Sequence, residues 1–383
     1  MIRTAVTGVG NMGGKYAAML FGGSVKGLEL CALTRIGSCS GDLLKPAVSA
    51  GVPVYDSAKE LFTAVEEGRL KLDAVIVATP HFSHEECVVR AFRNGLHVLC
   101  DKPSGVYSRQ ARQMEEAADR SRRVYAMVFN QRTLPVYRTL KELVESGRYG
   151  ALKRVHWAVT DWYRPEAYYR LGSWRATWDK DGGGVLLNQC PHNLDLLQWI
   201  CGMPARVQGF CKKGLFHDIE VEDAATAYME WENGATGTFI TSTGEAPGVN
   251  RLELAMEEAL LICENGTIRI GDVSRELGVS EAEYRRTATD PFRKITGDWT
   301  ELRPEKEEHP YERVLQAFCD EINGTGRSVA DGREGRKSLL ISNAIYLSSW
   351  EKRMVELPRP GSGREREFEE AFEAALKKAS RDE

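Results

Sequence analysis

AVTGVGNMGGKYAAML, residues 5–20, carries glycines at 8, 10 and 13 in the spacing G-x-G-x-x-G. The apolar stretch 2–6 leads in and reads as a short buried strand, while residues 15–20 read as a helix. Strand, glycines and helix stand in the order that a dinucleotide-binding turn requires. Gly8 allows the tight turn, Gly10 lets backbone approach a pyrophosphate, and Gly13 lets helix and strand pack closely. The helix N-terminus then offers unpaired N–H groups and a partial positive charge to the phosphates. Glycine turns without a nucleotide are common, so the placement after a first strand gives this one its weight.

Outward from that turn, strands alternate with helices. Residues 28–33, 73–78, 97–100 and 124–129 read as strands; 61–67, 84–94 and 108–121 read as helices. Alternation of this kind implies parallel strands joined by right-handed crossovers, hence an α/β, doubly wound Rossmann sheet over residues 1–128. Beyond it the rhythm changes. Runs rich in β-branched and aromatic residues cover 152–162, 206–211, 224–231, 235–241 and 252–261, and Glu232-Asn233-Gly234 is a hairpin signal between two of them. They describe a large, mostly antiparallel open sheet with one covered face, in an α+β domain at 129–358. Helices at 312–323 and 333–350 close the structure. Residues 359–383 form a tail whose helix, 364–378, carries a thin apolar stripe of Phe368, Phe372 and Leu376. The stripe suits docking on the body or on a partner subunit; a frayed, solvated end is the competing reading.

A chain of 383 residues with 42% hydrophobic and 28% charged content suits about two soluble globular domains with sizeable cores. A net charge of −4 and a pI near 6.1 argue against a nucleic-acid partner held on a broad basic face. No apolar run approaches the roughly 20 residues of a membrane span. The chain enters its first strand at once, leaving no room for a signal peptide. The nine cysteines form no C-x-x-C pair and mostly lie in apolar runs, as reduced core cysteines do. A cytoplasmic protein without a membrane, nucleic-acid or metal partner is the expectation.

Three further features bear on chemistry. Asp101-Lys102-Pro103 follows the fourth parallel strand, so Lys102 emerges at the carboxyl edge of the sheet, where ligands bind in such folds. A lysine there can donate to a substrate hydroxyl and stabilise developing negative charge; an ordinary solvated lysine is the alternative. In GGGVLLNQCPHNLD, residues 182–195, three glycines let backbone pass close to a ligand, and Pro191 suits a helix start. His192 and Asp195 then stand one turn apart on the same face, the imidazole placed as a general base. Between 157 and 178, Trp157, Trp162, Tyr163, Arg164, Tyr168, Tyr169, Trp174, Arg175 and Trp178 mix aromatic faces with guanidinium groups. That mixture suits a polyhydroxylated ring, although most of these residues belong in a core.

The glycine turn, ATPHFSH (78–84), GLHVLCDKP (95–103), FNQR (129–132) and the GGG…H-x-x-D segment together resemble the Gfo/Idh/MocA oxidoreductase family over nearly the whole chain. The resemblance implies a Rossmann domain followed by a domain with a large open sheet through which subunits form homodimers or homotetramers. It also implies hydride transfer between NAD(H) or NADP(H) and a secondary alcohol of a sugar, glycoside or inositol-like polyol. By position, Lys102 matches the lysine of the family's E-K-P motif, here D-K-P, and His192 matches its catalytic histidine. Gly8, Gly10, Asn11, Met12 and Gly13, then Thr79, Pro80, His81 and His84, then Asp101, Lys102, Asn130 and Arg132 would hold the cofactor. Tyr163, Arg164, Trp174, Arg175, Asn188 and Gln189 would meet the substrate beside Lys102 and His192.

Two departures matter: Asn188 stands where the family has aspartate, and Cys190 where it has glycine. An amide can hydrogen-bond a hydroxyl but cannot take its proton. The proton therefore goes to His192, with Lys102 polarising the reacting oxygen and Asp195 orienting nearby groups. Where an NAD enzyme commonly carries a carboxylate on the ribose, this chain reads Leu33-Thr34-Arg35 with Ser38 close by. A hydroxyl and a guanidinium welcome a 2′-phosphate, which leans the choice towards NADP; Arg35 stacking on the adenine would leave either cofactor usable. Two other outcomes stay open: a redox-neutral glycosidase with tightly held cofactor, and a catalytically silent NAD(P)-sensing regulator.

Overall fold

The structure is a computed structural model that describes residues 1–35, 45–172 and 175–380. Two units divide it. One comprises Met1–Thr133, Asp179–Gly182 and Glu308–Leu340, the other Leu134–Trp178, Gly183–Glu307 and Ile341–Glu383.

The first unit is built on β1 (Ile2–Val9), β2 (Leu28–Arg35), β3 (Val54–Tyr55), β4 (Ala74–Val77), β5 (His97–Cys100) and β6 (Tyr125–Met127). All pairs are parallel, in the order β3-β2-β1-β4-β5-β6. All four residues of β4 are buried, as its unbroken apolar run demands of a strand covered on both faces. Strand order reverses between β1 and β4, so their carboxyl ends border the crevice where such sheets take ligands.

Gly8 has φ +83°, and a Cβ there would stand 2.5 Å from the Ala78 carbonyl oxygen. A Cβ on Gly13 would stand 2.3 Å from the Gly8 oxygen. Both positions are sterically closed to side chains. The helix Asn11–Phe21 starts four residues earlier than the sequence suggests. Gly13, a poor helix former, lies inside it because the end of β1 packs against it. The core joins Val6, Leu33, Ile76 and Leu99 of the sheet with Val314, Leu315 and Phe318 of the helix Pro310–Ile322. The edge strand β3 was not foreseen; two residues show no alternation to read.

The second unit holds β7 (Leu152–Val159), β8 (Arg206–Lys213), β9 (Glu222–Glu230), β10 (Thr236–Ser242), β11 (Asn250–Met256), β12 (Ala259–Glu264), β13 (Thr267–Asp272), β14 (Asp298–Leu302) and β15 (Val355–Glu356). Their order is β14-β13-β12-β11-β7-β10-β9-β8-β15. Among the described residues, β7 with β10 is the parallel pair and the other neighbours are antiparallel. Burial alternates along β7, β10 and β11, so one face is a core and the other is not. Trp157 is fully buried on the inner face, edge-on to Phe239 at 6.1 Å. It packs rather than binds.

The expected hairpin turn is present, with Gly234 at φ +84° between β9 and β10. The expected single strand over 252–261 is instead β11 and β12, reversing at Glu257-Glu258. That turn has no Gly, Pro or Asn; the Glu257 carboxylate accepts from the Ala151 N–H at 2.9 Å, and the Glu258 N–H donates to the Tyr149 carbonyl at 3.0 Å. Contacts distant in sequence make this reversal. The tail helix, Glu365–Ala379, docks on the body of this unit: Phe368, Phe372 and Leu376 are buried, and Phe372 lies 5.7 Å from the Trp350 ring.

Candidate active site

At the carboxyl ends of β1, β2 and β4 the first unit gathers most of the residues expected around a cofactor. The glycine turn ends at Gly10, whose helix has no side-chain cap, so the N–H groups of Asn11 and Met12 open the helix as an anion cradle. Thr34 is buried and its hydroxyl accepts from the Gly8 N–H at 2.9 Å, bracing the turn. Arg35 is exposed and lines a 290 Å³ cleft with Asp56, Ser57, Lys59, Thr79 and Pro80. Ser57 caps the helix Ala58–Glu66 by accepting from the Glu60 N–H, and Glu60 reaches back to the Asp56 N–H. Asp56, Ser57 and Lys59 escaped the sequence reading because β3, which aims them, was invisible. Ser38 lies outside the described residues.

His81 and His84 flank the same region. His81 Nδ1 lies 2.9 Å from the Asp181 carbonyl oxygen and 3.2 Å from its carboxylate. Both ring nitrogens of His84 face carbonyl oxygens, Thr79 at 2.7 Å and Pro103 at 2.8 Å. Burial pushes its pKa down to about 4, with the charges of His81 and Lys102 acting the same way. The two carbonyl contacts favour the charged ring and oppose that shift; a neutral ring donates to one of the two, and the ring sits against Pro103, next to Lys102. Asp101 accepts from the Lys102 N–H at 2.9 Å, and burial drives its carboxyl up to about 6 against the pull of the lysine. Asn130 is buried, its carbonyl accepting from the Thr133 hydroxyl. Arg132 is 5% exposed, paired with Glu334 at 3.0 Å and lying over the Phe129 ring.

In the second unit the glycine triplet leads into two short helices, Val185–Asn188 and Pro191–Cys201, with Pro191 in the first turn as its fixed φ favours. Two of the three glycines are also demanded by protein packing: a Cβ on Gly183 would stand 2.3 Å from the Tyr346 hydroxyl, and one on Gly184 only 1.8 Å from the Glu222 carbonyl oxygen. His192 is 8% exposed, and Asp195, 1% exposed, accepts from Gln198 at 3.1 Å.

Tyr168 is the hub that brings the expected substrate residues together. Its hydroxyl accepts from Arg175 Nη1 at 2.7 Å and Gln189 Nε2 at 3.3 Å, and donates to Asn188 Oδ1 at 3.4 Å. The Arg175 and Arg164 guanidiniums lie over its ring at 4.4 and 5.0 Å. A 620 Å³ cleft beside it is lined by Glu166, Tyr169, Arg175, Asp218 and Glu220 among others. Phenol, amide and guanidinium together can both donate to and accept from several hydroxyls. Tyr163 stands apart, half exposed, and Trp174 lies outside the described residues. No described helix is long and apolar enough to cross a membrane.

Comparison with known proteins bears on both units. Residues 2–129 match a family model described as an oxidoreductase family with an NAD-binding Rossmann fold, and residues 137–268 match the GFO/IDH/MocA C-terminal domain. A 1,5-anhydro-D-fructose reductase of Ensifer adhaerens is 27% identical over 75% of this chain and 81% of its own. A D-glucoside 3-dehydrogenase of Escherichia coli K12 is 25% identical over 93% of this chain and 97% of its own. In fold, the chain is similar to the WlbA dehydrogenase of Bordetella pertussis, solved with NADH and UDP-GlcNAcA, at TM-score 0.73 and 24% identity over 94% of this chain and 99% of that one.

Proposed function

The chain belongs to the Gfo/Idh/MocA oxidoreductase family, and from that premise we propose that it moves a hydride between a nicotinamide cofactor and a secondary alcohol on a sugar, glycoside or cyclitol. The observation that carries this reading is the polar cluster around Tyr168, built from side chains that recognise neighbouring hydroxyls. The relatives named above are a reductase and dehydrogenases, which favours net redox turnover over a redox-neutral glycosidase or a silent sensor.

When bound, the cofactor supplies the hydride acceptor or donor. Its pyrophosphate fits the uncapped helix start beyond Gly10, where any side chain at Gly8 would collide with the backbone of Ala78 and Thr79 just past β4. Lys102 donates to the reacting oxygen and stabilises its partial negative charge. His192 takes the hydroxyl proton on an imidazole nitrogen, help worth about 10²–10⁴-fold. Asn188 orients the hydroxyl without exchanging a proton, and Asp195 with Gln198 steadies the histidine helix. Lys102→Met should cut turnover by at least about a thousandfold while cofactor Kd changes little; unchanged turnover would remove Lys102 from the chemistry.

The cleft beside Arg35 bears on cofactor choice. Arg35, Lys59 and the Ser57 hydroxyl suit a 2′-phosphate, and Asp56 suits ribose hydroxyls. NADP(H) is the favoured cofactor, with NAD(H) usable. Arg35→Ala should raise KM for NADP(H) about tenfold, consistent with one lost charge-assisted hydrogen bond, and leave KM for NAD(H) nearly unchanged. Equal effects on both would mean that Arg35 stacks on the adenine instead. The outer face of the second sheet, where Phe210 is 54% and Trp299 38% exposed, is the surface through which copies would pair.

A further inference from the structure

Glu222 and Asp223 open β9 and are 2% and 0% exposed. Neighbours on a strand point to opposite sides, and these two carboxylates grip different loops. The Glu222 carboxylate accepts from the Gly184 N–H at 2.9 Å, the Leu186 N–H at 2.9 Å and the Tyr346 hydroxyl at 2.7 Å. The Asp223 carboxylate accepts from the backbone N–H groups of Leu215, Phe216 and His217 at 3.2, 2.7 and 2.8 Å.

Each grip leads to a different part of the substrate machinery. Gly184 and Leu186 flank the start of the helix Val185–Asn188, which ends in Asn188 and is followed directly by the helix of His192. From the Asp223 loop, His217 Nε2 donates to the Arg164 carbonyl at 2.7 Å, and its ring lies 4.9 Å from that of Tyr169. The Asp223 carbonyl also accepts from the Thr243 N–H at 2.9 Å. Thr243 in turn meets the Tyr169 hydroxyl at 2.8 Å, and its carbonyl accepts from the Arg164 N–H at 2.8 Å.

We propose that Glu222-Asp223 is a double anchor of positioning residues, Glu222 setting the helix start that aims Asn188 and His192, and Asp223 setting the wall of Arg164 and Tyr169. The proposal rests on the assignment above of chemistry to the first pair and of sugar contact to Arg164, beside which Tyr169 lines the 620 Å³ cleft. Burying two adjacent carboxylates costs free energy that apolar residues would not. Their return is geometric: five backbone amides, which no replacement in those loops except proline removes, are held at fixed points. Glycine at 183 and 184 belongs to the same device, because Tyr346 and β9 close on that backbone too tightly for a Cβ.

Glu222→Gln swaps one acceptor oxygen for an NH2 and leaves one backbone amide unmatched. Its kcat should fall about tenfold with KM for the sugar within about twofold. Asp223→Asn should do the opposite, raising KM about tenfold and leaving kcat within about threefold. Hydrogen exchange should quicken at Gly184 and Leu186 only in the first variant, and at 215–217 only in the second. Should Glu222→Gln not fold, Tyr346→Phe removes one donor and should give a smaller fall in kcat with the same exchange pattern. Unchanged kcat in Glu222→Gln, equal movement of kcat and KM in both variants, or exchange spreading equally over both loops would overturn the anchor. A wild-type protein that turns over no sugar or cyclitol defeats the functional reading alone, since the exchange pattern reports the anchors without turnover.

Discussion

Glu222 shows how a single residue can be held by hydrogen bonds and still be expensive to bury. Three donors favour its ionised form, yet burial outweighs them and raises the carboxyl to about 7, well above the ordinary carboxylate range. Below about pH 4.5 the group is protonated in folded and unfolded chains alike and contributes nothing. Between about 4.5 and 7 the folded chain keeps a proton that the unfolded chain has released, so stability falls as pH rises. Above about 7 the full penalty remains. The Tm of Glu222→Gln relative to the parent should therefore climb between pH 5 and 7.5 and then level off; a difference independent of pH would show that burial does not perturb this carboxyl. None of this is legible in the sequence, where Glu222 is one acid among many in a strand. The placement of Lys102 just past a strand and of His192 in the first turn of a helix was legible in the sequence, whereas Tyr168 stood among nine aromatic and arginine residues with nothing local to single it out as the hub.

Elements follow the same logic. β1, β2, β4, β5 and β6 could be read because short, mainly apolar runs bounded by Gly, Pro or polar residues and alternating with helices leave little else to form. The division of 250–264 into β11 and β12 could not, since two glutamates make the reversal through partners about a hundred residues away. β13, β14 and β15 escaped as well; the last two are short edge strands whose pairing depends on a neighbour already in place. The tail helix is the clearest element-scale test. Burying Phe368, Phe372 and Leu376 is worth roughly 1.5–3 kcal/mol each against full exposure, less the entropy of ordering the segment. Removing residues 364–383 should lower Tm by about 5–10 °C and expose the Trp350 ring, seen as a red shift of tryptophan emission. A truncated chain with the parental Tm would mean that the helix adds nothing to the fold.

At the scale of the molecule, the outer face of the second sheet mixes apolar side chains with ion pairs across neighbouring strands. Arg154 reaches Glu253 and Arg251 reaches Glu264 on the central strands, while the exposed Phe210 and Trp299 lie on β8 and β14 towards opposite edges. Such a face is too polar to be a core and too apolar to be ordinary surface, as expected where subunits meet. On the pairing proposed above, Phe210→Glu should shift the mass measured by light scattering towards the monomer; a monomeric parent or an unchanged assembly would overturn pairing through this face.

The helix Pro310–Ile322 lends Val314, Leu315 and Phe318 to a core whose strands are finished by residue 127. On the ribosome, the nucleotide-binding half must wait for nearly two hundred further residues before its hydrophobic interior can be completed, about ten to forty seconds at ordinary elongation speeds. Throughout that interval a nascent chain carries a half-covered sheet, which makes it a natural client for chaperones and makes a fragment ending near residue 133 an aggregating species rather than a miniature cofactor-binding protein.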